Sequence, residues 1–239
     1  MSLFQLQQFS LQQDHAAMKV CGDSLLFGAS LPIRGGESII DIGAGTGILS
    51  LMALQQGAAT ATAVEIDEAT ANECQENFLR SPWHGRLQCV CDDIQTYRSD
   101  RRFDLVISNP PFFANQQRST QASRRTARHT DSLPFAQLIS AADRLLHKQG
   151  LLCLLIPHYE IDTIVALCGQ HGLQLQRQIS IQGRAELPAK VAILWFQRRA
   201  TAAEKQTIIM YQRGAEYSGQ SRQLLQDYLL RFAQQPNNG

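Results

Sequence analysis

Short apolar runs recur along the chain, each closed by a polar or turn-forming residue. Residues 38–42, 60–64, 87–91, 103–107 and 151–156 are nearly continuous in aliphatic and aromatic side chains, as strands covered on both faces are. Between them the apolar spacing lengthens to three and four, which predicts helices. One opens at Ile48, one spans residues 68–79 and one spans 161–168. Another runs through Phe135, Leu138, Ile139, Ala142 and Leu145; Ser132 or Pro134 is expected to open it and Gly150 to close it. Ahead of the first strand, Asp23 is expected to cap a short helix carrying Leu25 and Leu26. Residues 1–18 are polar with scattered Phe and Leu, and the pattern assigns them no element.

Strand and helix alternate, so the expected fold is α/β: a mostly parallel sheet with helices on both faces. Right-handed crossovers then gather the loops after the strands along one edge. The imperfect alternation over 173–181 and the apolar run 191–196, joined through Gly183 and Pro188, predict a C-terminal antiparallel hairpin. Residues 217–232 read as a closing helix, and 234–239 should fray. Nothing marks an interdomain linker, so residues 1–239 are read as a single domain.

Composition adds less than distribution does. The chain has 239 residues, 44% hydrophobic, with a net charge of +1, which neither requires nor excludes nucleic acid. No apolar run reaches membrane-spanning length and no leader pattern stands at Met1, so the cytoplasm is expected and a membrane partner is not. The six cysteines form no Cys-x-x-Cys pair, and no metal is expected. The polar stretch 114–131, by contrast, carries Arg118, Arg124, Arg125, Arg128 and His129 with no carboxylate before Asp131. Such a locally basic loop is expected to contact RNA phosphates.

Chemistry concentrates where strands end. Asp41-x-Gly43-x-Gly45-x-Gly47 follows the first strand, and glycines there let backbone approach a ligand at a helix N-terminus. A dinucleotide fingerprint would place glycine at 48, where this chain has Ile48. Glu65 ends the next strand and could accept hydrogen bonds from both hydroxyls of a ribose. Asp92 and Asp93 end the third, Asp92 being the weaker ligand. After the fourth comes Asn109-Pro110-Pro111-Phe112. Two prolines stop both ladder and helix, which sets the Asn109 amide oxygen beside backbone carbonyls. Two such acceptors can grip a planar –NH2 group while Phe112 stacks on it.

The glycine turn resembles the motif by which methyltransferases hold S-adenosyl-L-methionine. Asn109-Pro110-Pro111-Phe112 resembles the signature of those acting on amino groups in planar systems: adenine N6, guanine N2 and the glutamine amide. With Lys19-Val20-x-x-Asp23-x-x-Leu26, Arg128-His129-Thr130 and Gly214-x-Glu216-Tyr217-Ser218, the whole chain is similar to the bacterial valine-tRNA adenine-N6 methyltransferase family. The resemblance implies a Rossmann-like class I methyltransferase fold that modifies the adenine just 3′ of the anticodon, working as a monomer on tRNA. It implies a cofactor site of Asp41, Gly43, Ala44, Gly45, Glu65, Ile66, Asp93, Ile94 and Asn109. Asp93 would receive the cofactor's adenine amine, and Ile94 would lie against its ring. Phe112 stands where tyrosine is common, and Cys21-Gly22 where Gly-Thr is more frequent. The alternatives are a release-factor glutamine methyltransferase, a ribosomal-RNA guanine-N2 methyltransferase, and a non-catalytic RNA-binding scaffold that retains the cofactor. The first usually carries a helical domain ahead of the catalytic one, and the second is often duplicated. Intact Asn109 and Phe112 argue against the third.

Overall fold

A computed structural model describes residues 2–111, 133–199 and 202–233. In chain order its elements are β1 (Leu3–Gln5), β2 (Ser10–Gln12), α1 (Gly22–Ala29), β3 (Ser38–Ile42), α2 (Ile48–Gln55), β4 (Thr60–Glu65), α3 (Glu68–Arg80), β5 (Leu87–Cys91) and β6 (Phe103–Ser108). Then follow α4 (Phe135–Leu145), β7 (Leu146–Pro157), α5 (Ile161–Gln170), β8 (Gln174–Gln182), β9 (Val191–Gln197), β10 (Glu204–Ile209), β11 (Tyr211–Arg213), β12 (Glu216–Tyr217) and α6 (Gly219–Leu225).

Eight strands form one sheet in the order β10-β8-β9-β7-β6-β3-β4-β5. Its pairs are parallel except where β9 runs antiparallel to both β7 and β8. Side chains alternate across it. Ile39, Leu105 and Ile107 join a core with α1, α2 and α3, whereas Ile40, Ile42 and Val106 join one with α4 and α5. Helix α4 supplies Leu138, Ile139, Ala142 and Leu145 to the second core, the stripe its spacing predicts. The parallel sheet, the helices on both faces and the β8–β9 hairpin therefore match the sequence reading.

Three expectations need correction, and two elements have no counterpart in the sequence pattern. Cys21, not Asp23, is the N-cap of α1, because the Ser24 hydroxyl accepts from the Cys21 N–H (3.1 Å) and donates to its carbonyl (2.8 Å). Helix α4 stops at Leu145, not Gly150. Gly150 lies inside β7, where a Cβ would sit 2.8 Å from the Asp104 carbonyl, so the position calls for glycine without ending an element. The pairing steps from Phe103↔Leu146 to Leu105↔Leu151, so the residues between bulge out of register. The closing helix over 217–232 breaks into β12, α6 and a 3₁₀ turn at Leu230–Phe232, with Tyr228 and Leu229 buried between the last two. Finally, the unassigned N-terminal stretch forms the β1–β2 hairpin, and β10 adds an unforeseen parallel edge strand. No helix among the described residues is long and apolar enough to cross a membrane.

Candidate active site

Register fixes the site. Ile42 is level with Val64 on one side and Ser108 on the other, and Glu65 is level with Cys91. The loops that follow β3, β4, β5 and β6 therefore leave the sheet along one edge, as parallel strands require. The Ser108 hydroxyl donates to the Ile42 carbonyl (2.8 Å) in the interior, tying the end of β6 to the start of the glycine turn.

In that turn Gly43, Gly45 and Gly47 all have positive φ (68°, 55° and 80°), a conformation that disfavours other residues. A Cβ on Gly43 or Gly45 would meet open space. On Gly47 it would lie 2.4 Å from Phe78 and 2.8 Å from the Cys74 sulfur. The first two glycines leave a cradle open, and the third lets α3 close on α2. The cradle is suspended by Gly43 N–H donating to Val64 O (2.9 Å) and Gly45 N–H donating to Glu65 Oε2 (3.0 Å). Glu65 Oε1 accepts from the Ile66 and Asp67 N–H groups (3.0 and 3.1 Å). Oε2 retains acceptor capacity, in a carboxylate already locked in place.

Asp41 lies beneath the turn, fully buried. Its Oδ2 accepts from the Ser50 hydroxyl (2.9 Å), while Oδ1 has no hydrogen-bond partner among the described residues. Burial pushes its carboxyl up to about 7, against the opposing pull of the Ser50 hydrogen bonds, with Glu65 adding a smaller upward push. Asp93 is half-buried, and its Oδ1 accepts from Gln95 N–H (2.9 Å). Asp92 is occupied with Asp93's own N–H (2.7 Å).

The two isoleucines differ. Ile66 is 61% exposed beside the cradle, whereas Ile94 is 6% exposed and packs in the core under α4. Ile66 thus presents the apolar face at this edge, and Ile94 supports the loop from below. Arg144 of α4 holds that same loop by donating to the Ile94 and Tyr97 carbonyls (2.9 and 2.5 Å). Nothing in the spacing singles out a helix-end arginine for this task.

Asn109 stands at the end of β6 with its Oδ1 buried and without a hydrogen-bond partner among the described residues. Pro110 is buried and Pro111 exposed. Phe112, Arg118, Arg124, Arg125, Arg128 and His129 lie outside the described residues.

Two α3 side chains that the sequence pattern does not flag join the N-terminal segment to the cradle. Asn77 donates to the Thr46 and Gln12 carbonyls (3.0 and 2.9 Å) and accepts from Gln12 N–H (2.8 Å). The Glu73 carboxylate accepts from the N–H groups of Asp14, His15 and Ala16 (2.6, 3.1 and 3.3 Å). Their only sequence signal is a polar face on α3 where a neighbour must cover it. Farther along that segment, burial raises the Asp23 carboxyl and Lys190 pulls it back. Lys19 is exposed.

Residues 16–159 match the family model described as methyltransferase small domain. A tRNA1(Val) (adenine(37)-N6)-methyltransferase of Edwardsiella ictaluri is 38% identical, covering 96% of this chain and 94% of the relative. The protein of the same name from Shewanella halifaxensis is 36% identical, covering 96% and 99%. Among solved structures, a predicted O-methyltransferase from Agrobacterium tumefaciens superposes with a TM-score of 0.64 at 18% identity, over 84% of this chain and 94% of that one. A methyltransferase from Pyrococcus furiosus gives 0.60 at 18%, over 80% and 90%. These two share the Rossmann-like fold.

Proposed function

The chain belongs to the methyltransferase small-domain family and, within it, to the bacterial tRNA1(Val) (adenine(37)-N6)-methyltransferases, and from this we propose that it methylates the exocyclic N6 amine of the adenine 3′ of the anticodon in valine tRNA. The methyl donor of this class is S-adenosyl-L-methionine, which supplies a methyl group on a positively charged sulfur. The residues along the loop edge fit it. Gly43 and Gly45 leave room where a side chain would otherwise stand. Glu65 is held ready for ribose hydroxyls, Ile66 offers an apolar face, and Asp93 can accept from an adenine amine while Ile94 backs its loop. Asp41 and Ala44 shape the floor of the turn.

The observation that carries the catalytic reading is the Asn109 Oδ1 atom, buried and unpartnered at a strand end level with the glycine turn. A buried acceptor left without a donor costs about 1–3 kcal/mol, so the site is built to receive one. Asn109 accepts from one N–H of the target amine and the Pro110 carbonyl accepts from the other. Both hydrogen bonds draw the amine lone pair out of conjugation with the ring and aim it at the methyl group. Phe112 stacks on the extruded base. No strong base is required, because the nitrogen becomes acidic once alkylated and its proton leaves to water. Catalysis comes from positioning and local electrostatics. Arg118, Arg124, Arg125, Arg128 and His129 hold the RNA backbone, and the unit at work is one copy of the chain in the cytoplasm.

The test is methyl transfer into tRNA lacking the modification, followed by nucleoside analysis. The expected product is N6-methyladenosine next to the anticodon of valine tRNA. Asn109→Ala should lower kcat about a hundredfold or more with the cofactor still bound. Label in a release factor or in ribosomal RNA instead would overturn the substrate, and near-normal turnover of the variant would overturn the mechanism.

A further inference from the structure

Away from the loop edge, the described residues line a partly open pocket of about 160 Å³ between the end of α1, strands β8, β9 and β10, and α6. Ser30, Arg177, Trp195 and Gln206 line it, with Ile179, Ile208 and Leu224 completing the wall. Three of its polar atoms are closed off from solvent without a hydrogen-bond partner among the described residues: Ser30 Oγ, Arg177 Nε and Trp195 Nε1. All three can donate. Of the two uncharged side-chain acceptors in the wall, Gln206 Oε1 already takes Arg177 Nη2 (2.8 Å), and the other is the Ser30 hydroxyl itself. Arg177 also lies over the Trp195 ring, 5.0 Å from its centroid, which fixes guanidinium and indole relative to one another.

Water fits this lining poorly. A water molecule accepts and donates in equal measure, and here three donors stand unpartnered against two side-chain acceptors, one of them already engaged. A phosphodiester anion accepts only, and the dianion of inorganic phosphate accepts at three oxygens while keeping one O–H to donate. We propose that this pocket is a binding site for a phosphate-class oxyanion, held by Arg177 Nε, Trp195 Nε1 and the Ser30 hydroxyl. Arg177 supplies the charge, and hydrogen bonds to a charged group are the strong ones. Glu204 is the built-in competitor: its Oε2 lies 3.9 Å from Arg177 Nε, too far for a hydrogen bond but near enough to share the charge. Its side chain is 75% exposed and free to swing out as an anion enters.

The chain holds two tryptophans, so in a Trp83→Phe background the emission of Trp195 reports on the pocket alone. Sodium phosphate, titrated at constant ionic strength against sodium chloride, should give a saturable change in that emission. Arg177→Gln should weaken it about tenfold or more, and Glu204→Gln should strengthen it. Calorimetric titration of the unaltered protein with inorganic phosphate gives the same answer without the Trp83 substitution. An anticodon stem-loop that competes with inorganic phosphate for the site would identify an RNA backbone as the source of the anion. Saturation by inorganic phosphate without such competition would identify a free anion. No saturable response to either, or a response that Arg177→Gln leaves unchanged, would overturn the proposal.

Discussion

Asp41 is expensive to keep charged. Its carboxyl rises from an ordinary 3.8 to about 7 because burial withholds water from the anion. The folded protein therefore holds a proton that the unfolded chain has released between about pH 4 and pH 7. Stability from this group is complete below that window and falls as pH rises through it. At about 1.4 kcal/mol per unit, the loss is on the order of 4 kcal/mol. Asp41→Asn removes the titration, so the difference in unfolding free energy between the two proteins should shift by that order from pH 4 to pH 8. Urea denaturation across this range measures it, and parallel pH curves would refute it. The glycines separate in the same way. Gly43→Ala forces a positive φ into a non-glycine residue, costing about 1–3 kcal/mol, and intrudes on the cradle. Gly47→Ala adds a clash with Phe78 and should unfold the protein more readily. Thermal melts with and without S-adenosyl-L-methionine distinguish the two: the first variant should mainly lose ligand-induced stabilisation, the second intrinsic stability. The sequence could name all of these residues, since Asp-x-Gly-x-Gly-x-Gly is a local motif. It could not say which glycine borders open space and which makes way for packing, because Phe78 and Cys74 come from α3.

At the scale of elements, buried strands and amphipathic helices were readable because their periodicity is written into neighbouring positions. The departures occur where a distant partner decides. Gly150 reads as a helix stop, yet its role is set by the close approach of the Asp104 carbonyl on β6. Strand β10 is exposed over most of its length and has little apolar pattern to show, and the β1–β2 hairpin is three residues a side. That hairpin matters more than its size suggests, because Asn77 bonds Gln12 and Thr46 from one side chain. Asn77→Ala would strand a Gln12 N–H and two carbonyls, costing about 2–4 kcal/mol locally. Hydrogen exchange should then accelerate across residues 10–16 and 44–47 together, while β7 and β8 keep their protection. Acceleration of the hairpin alone would show that the two are not coupled through α3.

For the whole molecule, a net charge of +1 gives little general attraction to RNA, so binding must depend on where the arginines are placed. Replacing Arg124, Arg125 and Arg128 together by glutamine should flatten the dependence of log Kd on log salt by about two units. It should leave cofactor affinity unchanged. A slope that stays the same would move the RNA contacts elsewhere. The convergence of glycine turn, Glu65, Asp93 and Asn109 was readable at this scale, because parallel topology alone aligns strand ends. The embedding of Ile94 was not, since that depends on how α4 lies beneath its loop.

The Gln7 side chain donates to the carbonyls of Gln226 and Leu229, and its backbone N–H to that of Tyr228. Partners separated by 219 positions cannot meet until the 219 residues between them have been made. At ordinary elongation rates that is roughly 11–44 s after Gln7 is made. The parallel sheet can assemble in the meantime, but the N-terminal hairpin waits for its last partner. Ribosome-bound nascent chains arrested short of residue 226 should accordingly give a protease-resistant sheet with an N-terminal segment that is cleaved more readily than in the released protein, and residues 5–9 close down only once residues 226–229 have emerged.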